Sequence, residues 1–194
     1  DEREFFMMED LIDAFDMDRI NKANAAFSID KLRWLNGEHI RSLSPEAFHR
    51  IALHFYPKGL KGFDLAKISQ LIQVRTETLT DIPQLVGFLA ALPEYSEELF
   101  ENQKSKSTLE SSRVVLEAVL PLLEALEAWS NEGLFEVLKA FAQERGFKVG
   151  TVMWPIRTAL SGKETSPGGA TELAALLGKE ESLRRIKLGL SKLG

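Results

Sequence analysis

The 194-residue sequence has no cysteine. That excludes disulfides, thiolate catalysis and cysteine-based zinc sites, and it fits a reducing compartment. No apolar run approaches the ~20 residues a membrane-spanning helix needs, so no span is expected. The opening residues show no signal-peptide pattern. Histidine is scarce: His39, His49 and His54 do not form His-Glu-x-x-His, and the acidic residues form no metal-binding loop pattern, so the histidines read as surface or core-edge residues. Gly-x-Ser-x-Gly, Gly-x-Gly-x-x-Gly and the phosphate-loop lysine motif are all missing. Alternating strand patterns and hairpin signals are missing too, and there is no internal repeat. Glu9, Asp10, Asp13, Asp16 and Asp18 cluster early, but they read as a solvated helix face rather than a catalytic group. No self-contained active site is expected.

The composition is that of a globular protein, with 44% hydrophobic and 27% charged residues, so global disorder and a fibrous repeat are both disfavoured. Such a length makes one domain or two small ones. The formal charge of -5 hides an asymmetry. Residues 145–194 hold nine basic and four acidic side chains, a balance of +5, which leaves -10 on residues 1–144. A basic end of this kind suggests a polyanion partner; the plainer reading is a solvated surface of uneven sign.

Nearly every segment has helical periodicity, so we expect an all-α fold of about ten helices. Leu11, Ile12 and Phe15 share one face of the first. Residues 30–43 carry Leu32, Leu35, Ile40 and Leu43 at helical spacing. Ser44-Pro45 is an N-cap with proline at the first helical position, and Asp64 is a candidate cap for the next helix. Another opens at Thr80 or Asp81. Ser107 and Glu110 have capping-box spacing and are expected to start a long helix reaching Trp129, kinked at Pro121. Asn131 opens a helix ending at Gly146, and another covers 150–160 and stops at Gly162. Two more, 171–177 and 180–193, complete the chain. The polar stretch 101–108 is the natural break, dividing the chain into a first helical subdomain, 1–106, and a second, 107–194.

Residues 145–163 carry Arg145, Lys148, Arg157 and Lys163 and no acid. With Trp154 and the Ser166-Pro167-Gly168-Gly169 turn, they have the ingredients for binding unstacked RNA bases, which are held by stacking and by donors to base edges. The ordinary alternatives are Trp154 in the core and Arg157 in a salt bridge.

The pattern Lys148-x-Gly150, then Pro155-Ile156-Arg157-x-Ala159-Leu160-Ser161-Gly162, Ser166-Pro167-Gly168 and Leu176-Leu177-Gly178-Lys179-Glu180 with Arg184-Arg185 resembles the C-terminal anticodon-binding region of bacterial glutamyl-tRNA synthetases. Phe27-x-x-x-Lys31-Leu32-Arg33-Trp34-Leu35-Asn36-Gly37 with Ile40-Arg41 is similar to the segment after that family's catalytic domain. Leu71-Ile72-x-x-Arg75-x-x-Thr78-Leu79 is also family-like. The family's His-Ile-Gly-His-like signature and Lys-x-Ser-Lys-Arg loop are not found. With Asp rather than Met at residue 1, the resemblance implies an excised or processed tRNA-reading piece.

The resemblance further implies a class I synthetase anticodon-binding architecture, with 1–106 comprising a stem-contact-like segment plus the first anticodon-binding helices. It implies a cytoplasmic parent that joins glutamate to tRNA using ATP and Mg²⁺, with its catalytic domain in cis. The piece itself is expected to bind no cofactor, DNA or membrane, and to be inactive alone. Its partner is the glutamate tRNA isoacceptors. Arg75 matches the family arginine at the third anticodon base, a cytosine: an arginine fork suits the O2 and N3 acceptors of cytosine, where guanine presents donors. Arg157 matches the reader of the first base, and Ser166 and Pro167 fall on the turn lining the anticodon loop. Family members often have leucine where Gly169 stands. Lys148, Lys163, Arg184, Arg185 and Arg33 are candidate tRNA-backbone contacts, and Trp34 is expected in the core. The decoding role requires Arg75 and Arg157 on one cationic groove. The competing functions are a helical protein-interaction scaffold, a non-catalytic tRNA-binding homologue and a self-sufficient enzyme.

Overall fold

The computed structural model describes residues 4–19 and 28–194; Phe27 lies outside them. Among the described residues there are ten α-helices and no strand: α1 (Met8–Ala14), α2 (Ile29–Ser42), α3 (Pro45–Ala52), α4 (Leu65–Gln73), α5 (Ile82–Ala90), α6 (Leu109–Ala125), α7 (Asn131–Glu144), α8 (Val149–Ser161), α9 (Ala170–Leu177) and α10 (Lys179–Lys192). Short 3-10 turns fill several connections. The expected break at 101–108 is a tight loop closed by an antiparallel bridge between Asn102 and Ser107.

Side-chain caps set most of the starts, because the first amides of a helix have no partner within it. Ser28 accepts from the Lys31 amide, Ser44 from Ala47 with Pro45 behind it, Asp64 from Ala66 and Lys67, and Ser130 from Gly133. The capping box of α6 lies one residue later than the spacing suggests. Thr108 and Ser111 exchange the bonds, while Ser107 is buried against the Ser112 hydroxyl and in the Asn102 bridge. α6 runs unbroken through Pro121 but stops at Ala125, where Leu126 turns extended, so Trp129 lies beyond the helix. Gly162 ends α8 at φ 61°, and a Cβ there would stand 2.8 Å from the Tyr95 ring; both make glycine necessary.

One core runs from Ile40 to Ile186. Phe48, Ile68, Ile72, Ile82 and Val86 fill its first half; Leu116, Leu123, Leu138, Ile156, Leu160 and Ile186 fill the second. α8 is central to the second half. Eight of its thirteen residues are buried, more than a one-faced helix covers, and it packs against α6, α7, α9 and α10. Gly189 lets α10 cross closely, since a Cβ there would come 2.8 Å from that of Ala159.

Two expectations fail here. Trp34 is 39% exposed on α2, not in the core. Arg185 is buried at 1% exposure, so it does not contact a phosphate. Its guanidinium donates to the carbonyls of Phe88, Leu89 and Leu160 and to the Glu181 carboxylate at 2.6 Å. Those carbonyls belong to the last turns of α5 and α8, where helix acceptors lack intrahelical donors and the helix dipole is negative. The arginine therefore binds three helices together. α1, in contrast, buries no residue: Leu11, Ile12 and Phe15 share a face, as their spacing suggests, but that face is exposed.

Candidate nucleic-acid interface

α4 and the two residues after it line an open groove of about 800 Å³, through Lys67, Gln70, Leu71, Val74 and Arg75. Trp129, Ser130, Asn131 and Glu132 line it too, as do Pro167 and Leu176. A second recess of about 460 Å³ adjoins it, lined in part by Arg33, Gln84, Lys163 and Ser166. Arg75 and Pro167 belong to both, so the two form one continuous surface. The turn after α8 is pressed against α4 at Gly168, where a Cβ would meet Leu71 at 2.9 Å.

Arg75 sits just past the end of α4. The Thr76 hydroxyl folds back onto the Ile72 carbonyl and is buried, which leaves Arg75 projecting outward. Its guanidinium has no hydrogen bond or ion pair among the described residues. Five N–H donors are therefore open to solvent in the groove.

Arg157 is held differently. Its guanidinium lies over the Trp154 ring and donates to the Ser166 hydroxyl at 3.0 Å and the Glu164 carbonyl at 2.7 Å. Ser166 in turn donates to the Gly168 carbonyl at 2.8 Å, and the Trp154 indole to the Leu99 carbonyl at 2.9 Å. Burial lowers the pKa of Arg157, and the nearby positive charge of Arg75 lowers it further, with Glu164 opposing. Arg157 itself lines neither recess, so the expectation of both arginines on one groove is met by Arg75 alone; Arg157 stands behind the lining, bonded to Ser166 of the recess that Arg75 shares. Arg157 forms no salt bridge among the described residues, and Trp154 is half-buried rather than sealed in the core. Ser166, 6% exposed, and Pro167 are buried and shape the turn.

The remaining candidates are not equivalent. Lys163 reaches the Gln84 carbonyl and lies over the Phe88 ring, and burial pushes its pKa down. Arg33 lines the recess but is paired with Glu77 at 3.0 Å and Asp81 at 2.8 Å. Lys148 is exposed at the N-cap of α8, nine residues before Arg157, or ~13 Å along the axis at helical rise. Arg184 lies outside the groove, doubly bonded to Glu181 and bordering a separate recess with Tyr95 and Lys192. The expectation of a cationic groove also needs correction, because Glu77, Asp81, Glu132 and Glu172 line it as well. Gly169 opens α9, its amide donating to Glu172 at 2.8 Å.

Sequence reasoning missed Lys67, Gln70 and Trp129 as groove residues. Trp129 reads as the last apolar position of a long helix, and the Ser130-Asn131 cap immediately after it was the available signal that the helix had already ended.

Residues 41–190 match the anticodon binding domain family. Over 193 residues the chain is 50% identical to a glutamate–tRNA ligase of Clostridium botulinum, covering 99% of this chain and 40% of that protein. A glutamate–tRNA ligase of Clostridium tetani is 50% identical over 192 residues, with 98% and 39% covered. The crystal structure of a glutamate tRNA ligase from Elizabethkingia meningosepticum in complex with its amino acid superposes with a TM-score of 0.75 at 26% identity, covering 97% of this chain and 37% of that one. The chain thus spans about two fifths of the length of the relatives it matches. With an all-helical fold shared across almost its whole length and a family match over residues 41–190, the chain belongs to the anticodon binding domain family.

Proposed function

We propose that this chain is the anticodon-reading part of a glutamate–tRNA ligase, and that its groove binds the anticodon loop of glutamate tRNA. The observation that carries this reading is the Arg75 guanidinium, without a partner among the described residues, in a groove whose lining includes Pro167 and whose adjoining recess includes Ser166, the hydroxyl that braces Arg157. In the loop, unstacked bases offer their Watson–Crick edges. Arg75 donates to O2 and N3 of a cytosine at the third position and rejects guanine, whose edge presents donors there. Arg157, already fixed by Trp154, Ser166 and Glu164, directs its remaining donors toward the first base. Ser166 and Pro167 set the shape of the turn against which the loop lies. Lys163, Lys148 and Arg33 serve as backbone contacts, with Arg33 exchanging its carboxylates for phosphate; Arg184 does so at the periphery.

The parent would activate glutamate with ATP and Mg²⁺ in a catalytic part in cis and act in the cytoplasm; this chain alone would not ligate. Among the described residues no group of three or more His, Cys, Asp or Glu is placed to hold a metal ion. No helix among them is long and apolar enough to cross a membrane.

Titration of the chain with glutamate tRNA and with a tRNA of unrelated anticodon, across a salt series, tests the proposal. We expect preferential binding of glutamate tRNA, weakening as salt rises through loss of phosphate contacts. Equal affinity for both, or none at low salt, overturns it. The exposed Met8, Leu11, Ile12 and Phe15 of the N-terminal segment favour a second reading, a protein-interaction scaffold, and a stable protein partner without RNA affinity would select it.

A further inference from the structure

We infer that Trp129 is a stacking platform for an unpaired nucleobase, with the Asn131 side-chain carbonyl beside it accepting from a base amino group. This rests on the reading of the groove as an anticodon-loop site and adds a second contact in the groove that Arg75 lines.

Three observations converge on it. First, Trp129 is the one aromatic among the described residues lining the groove. Its indole N–H donates to the Ala174 carbonyl at 2.9 Å, which satisfies the ring's only polar group and anchors it against α9. What it offers the groove is apolar ring surface, and every base has a π-face that stacks on such a ring. Second, the molecule's other indoles are not placed for this. Trp34 lies on α2 and does not line the groove, and one face of Trp154 is covered by the Arg157 guanidinium at 4.3 Å. Third, the helix start after Trp129 holds an unexplained group. Ser130 supplies the N-cap of α7 through the Gly133 amide, so Asn131 is not needed as a cap. Yet Asn131 lines the groove with its Oδ1 buried and without a hydrogen-bond donor. Buried acceptors without partners are rare, and each calls for an explanation. Because Asn131 lines the groove, an exocyclic amino group of a base bound there would supply the missing donor.

Arg75, Trp129 and Asn131 thus combine five free donors, a fixed ring and an orphaned acceptor around one cavity. A nucleobase carries the complements of all three. The apolar floor from Pro167 and Leu176 suits the flat base rather than the charged phosphate.

The test uses the full chain and an anticodon stem-loop RNA of glutamate tRNA, substituted singly at its loop pyrimidines with 5-bromouridine or 5-bromocytidine. Irradiation of the complex should crosslink one loop position to Trp129, read by mass spectrometry of the digested protein. In parallel, Trp129→Leu keeps apolar bulk but removes the π-face and should weaken binding about tenfold, the scale of one lost base stack. Trp129→Phe keeps a ring and should recover most of that loss. Crosslinks confined to other residues, together with unchanged affinity in Trp129→Leu, overturn the inference while leaving the anticodon reading intact. Absence of binding by the unsubstituted chain overturns the anticodon reading itself and this inference with it.

Discussion

The guanidinium carbon of Arg157 stands 4.3 Å from the centre of the Trp154 ring, four residues from the end of α8. The ring is itself tied to the Leu99 carbonyl, and the guanidinium to the turn through Ser166 and Glu164. A side chain held by stacking and by two acceptors has lost most of its rotamer freedom before any ligand arrives. Such preorganisation lowers the entropic cost of binding.

Arg157→Lys is the substitution that isolates this arrangement. Lysine keeps the charge but loses the planar fork and its fit to the ring. We expect binding of the anticodon stem-loop to fall about tenfold, or ~1.4 kcal/mol, with discrimination at the first anticodon letter falling as well. Fluorescence anisotropy with cognate and first-letter-changed stem-loops measures both.

Arg75→Gln should behave differently, because no described residue is bonded to this guanidinium. Thermal stability should stay within experimental scatter. Preference for cytosine over guanine at the third anticodon letter should shrink by ~1–3 kcal/mol, the scale of one good base contact. Equal discrimination by both proteins in competition binding would remove Arg75 from the proposed reading.

Arg185→Met probes the scaffold behind the groove. It leaves three buried carbonyls without their donor and Glu181 without one of its two arginines. Each buried acceptor left without a donor costs about 1–3 kcal/mol. Chemical denaturation should show the midpoint falling accordingly, and a neutral result would mean that other groups hold α5, α8 and α10 together.

Acid should release part of the same network. The hydrogen bonds from Arg184, then the one from Arg185, hold the Glu181 carboxyl down from 4.5 to about 2, against an opposing burial effect. The folded-state pKa is depressed, so this contribution is fully present above the unfolded value of about 4.5 and is lost as pH falls toward 2. Glu181→Gln should therefore flatten the stability profile between those limits and leave its shape above pH 5 unchanged. Urea unfolding across that window reads the difference.

The helical character and most helix boundaries were legible in the chain because they depend on local chemistry. Ser44-Pro45, Asp64 and Gly162 act on their own neighbours, so their effect survives without knowledge of the rest of the fold. Ser107 was misread as a cap because Thr108 next to it has the same chemistry, and only the Asn102 bridge decides between them. Trp129 was assigned to a helix because the apolar spacing of α6 does not show where its last turn unwinds.

The sequence by itself determined an all-α chain, and it singled out Arg75 and Arg157 through a family pattern. Only the tertiary structure decided what each cation is free to do. Arg185 and Arg75 are alike as residues, yet one is sealed among helix-terminal carbonyls and the other projects into a groove. Residues 97 positions apart meet at Phe88 and Arg185, and contacts over such separations follow from how helices pack, not from the local spacing a sequence displays.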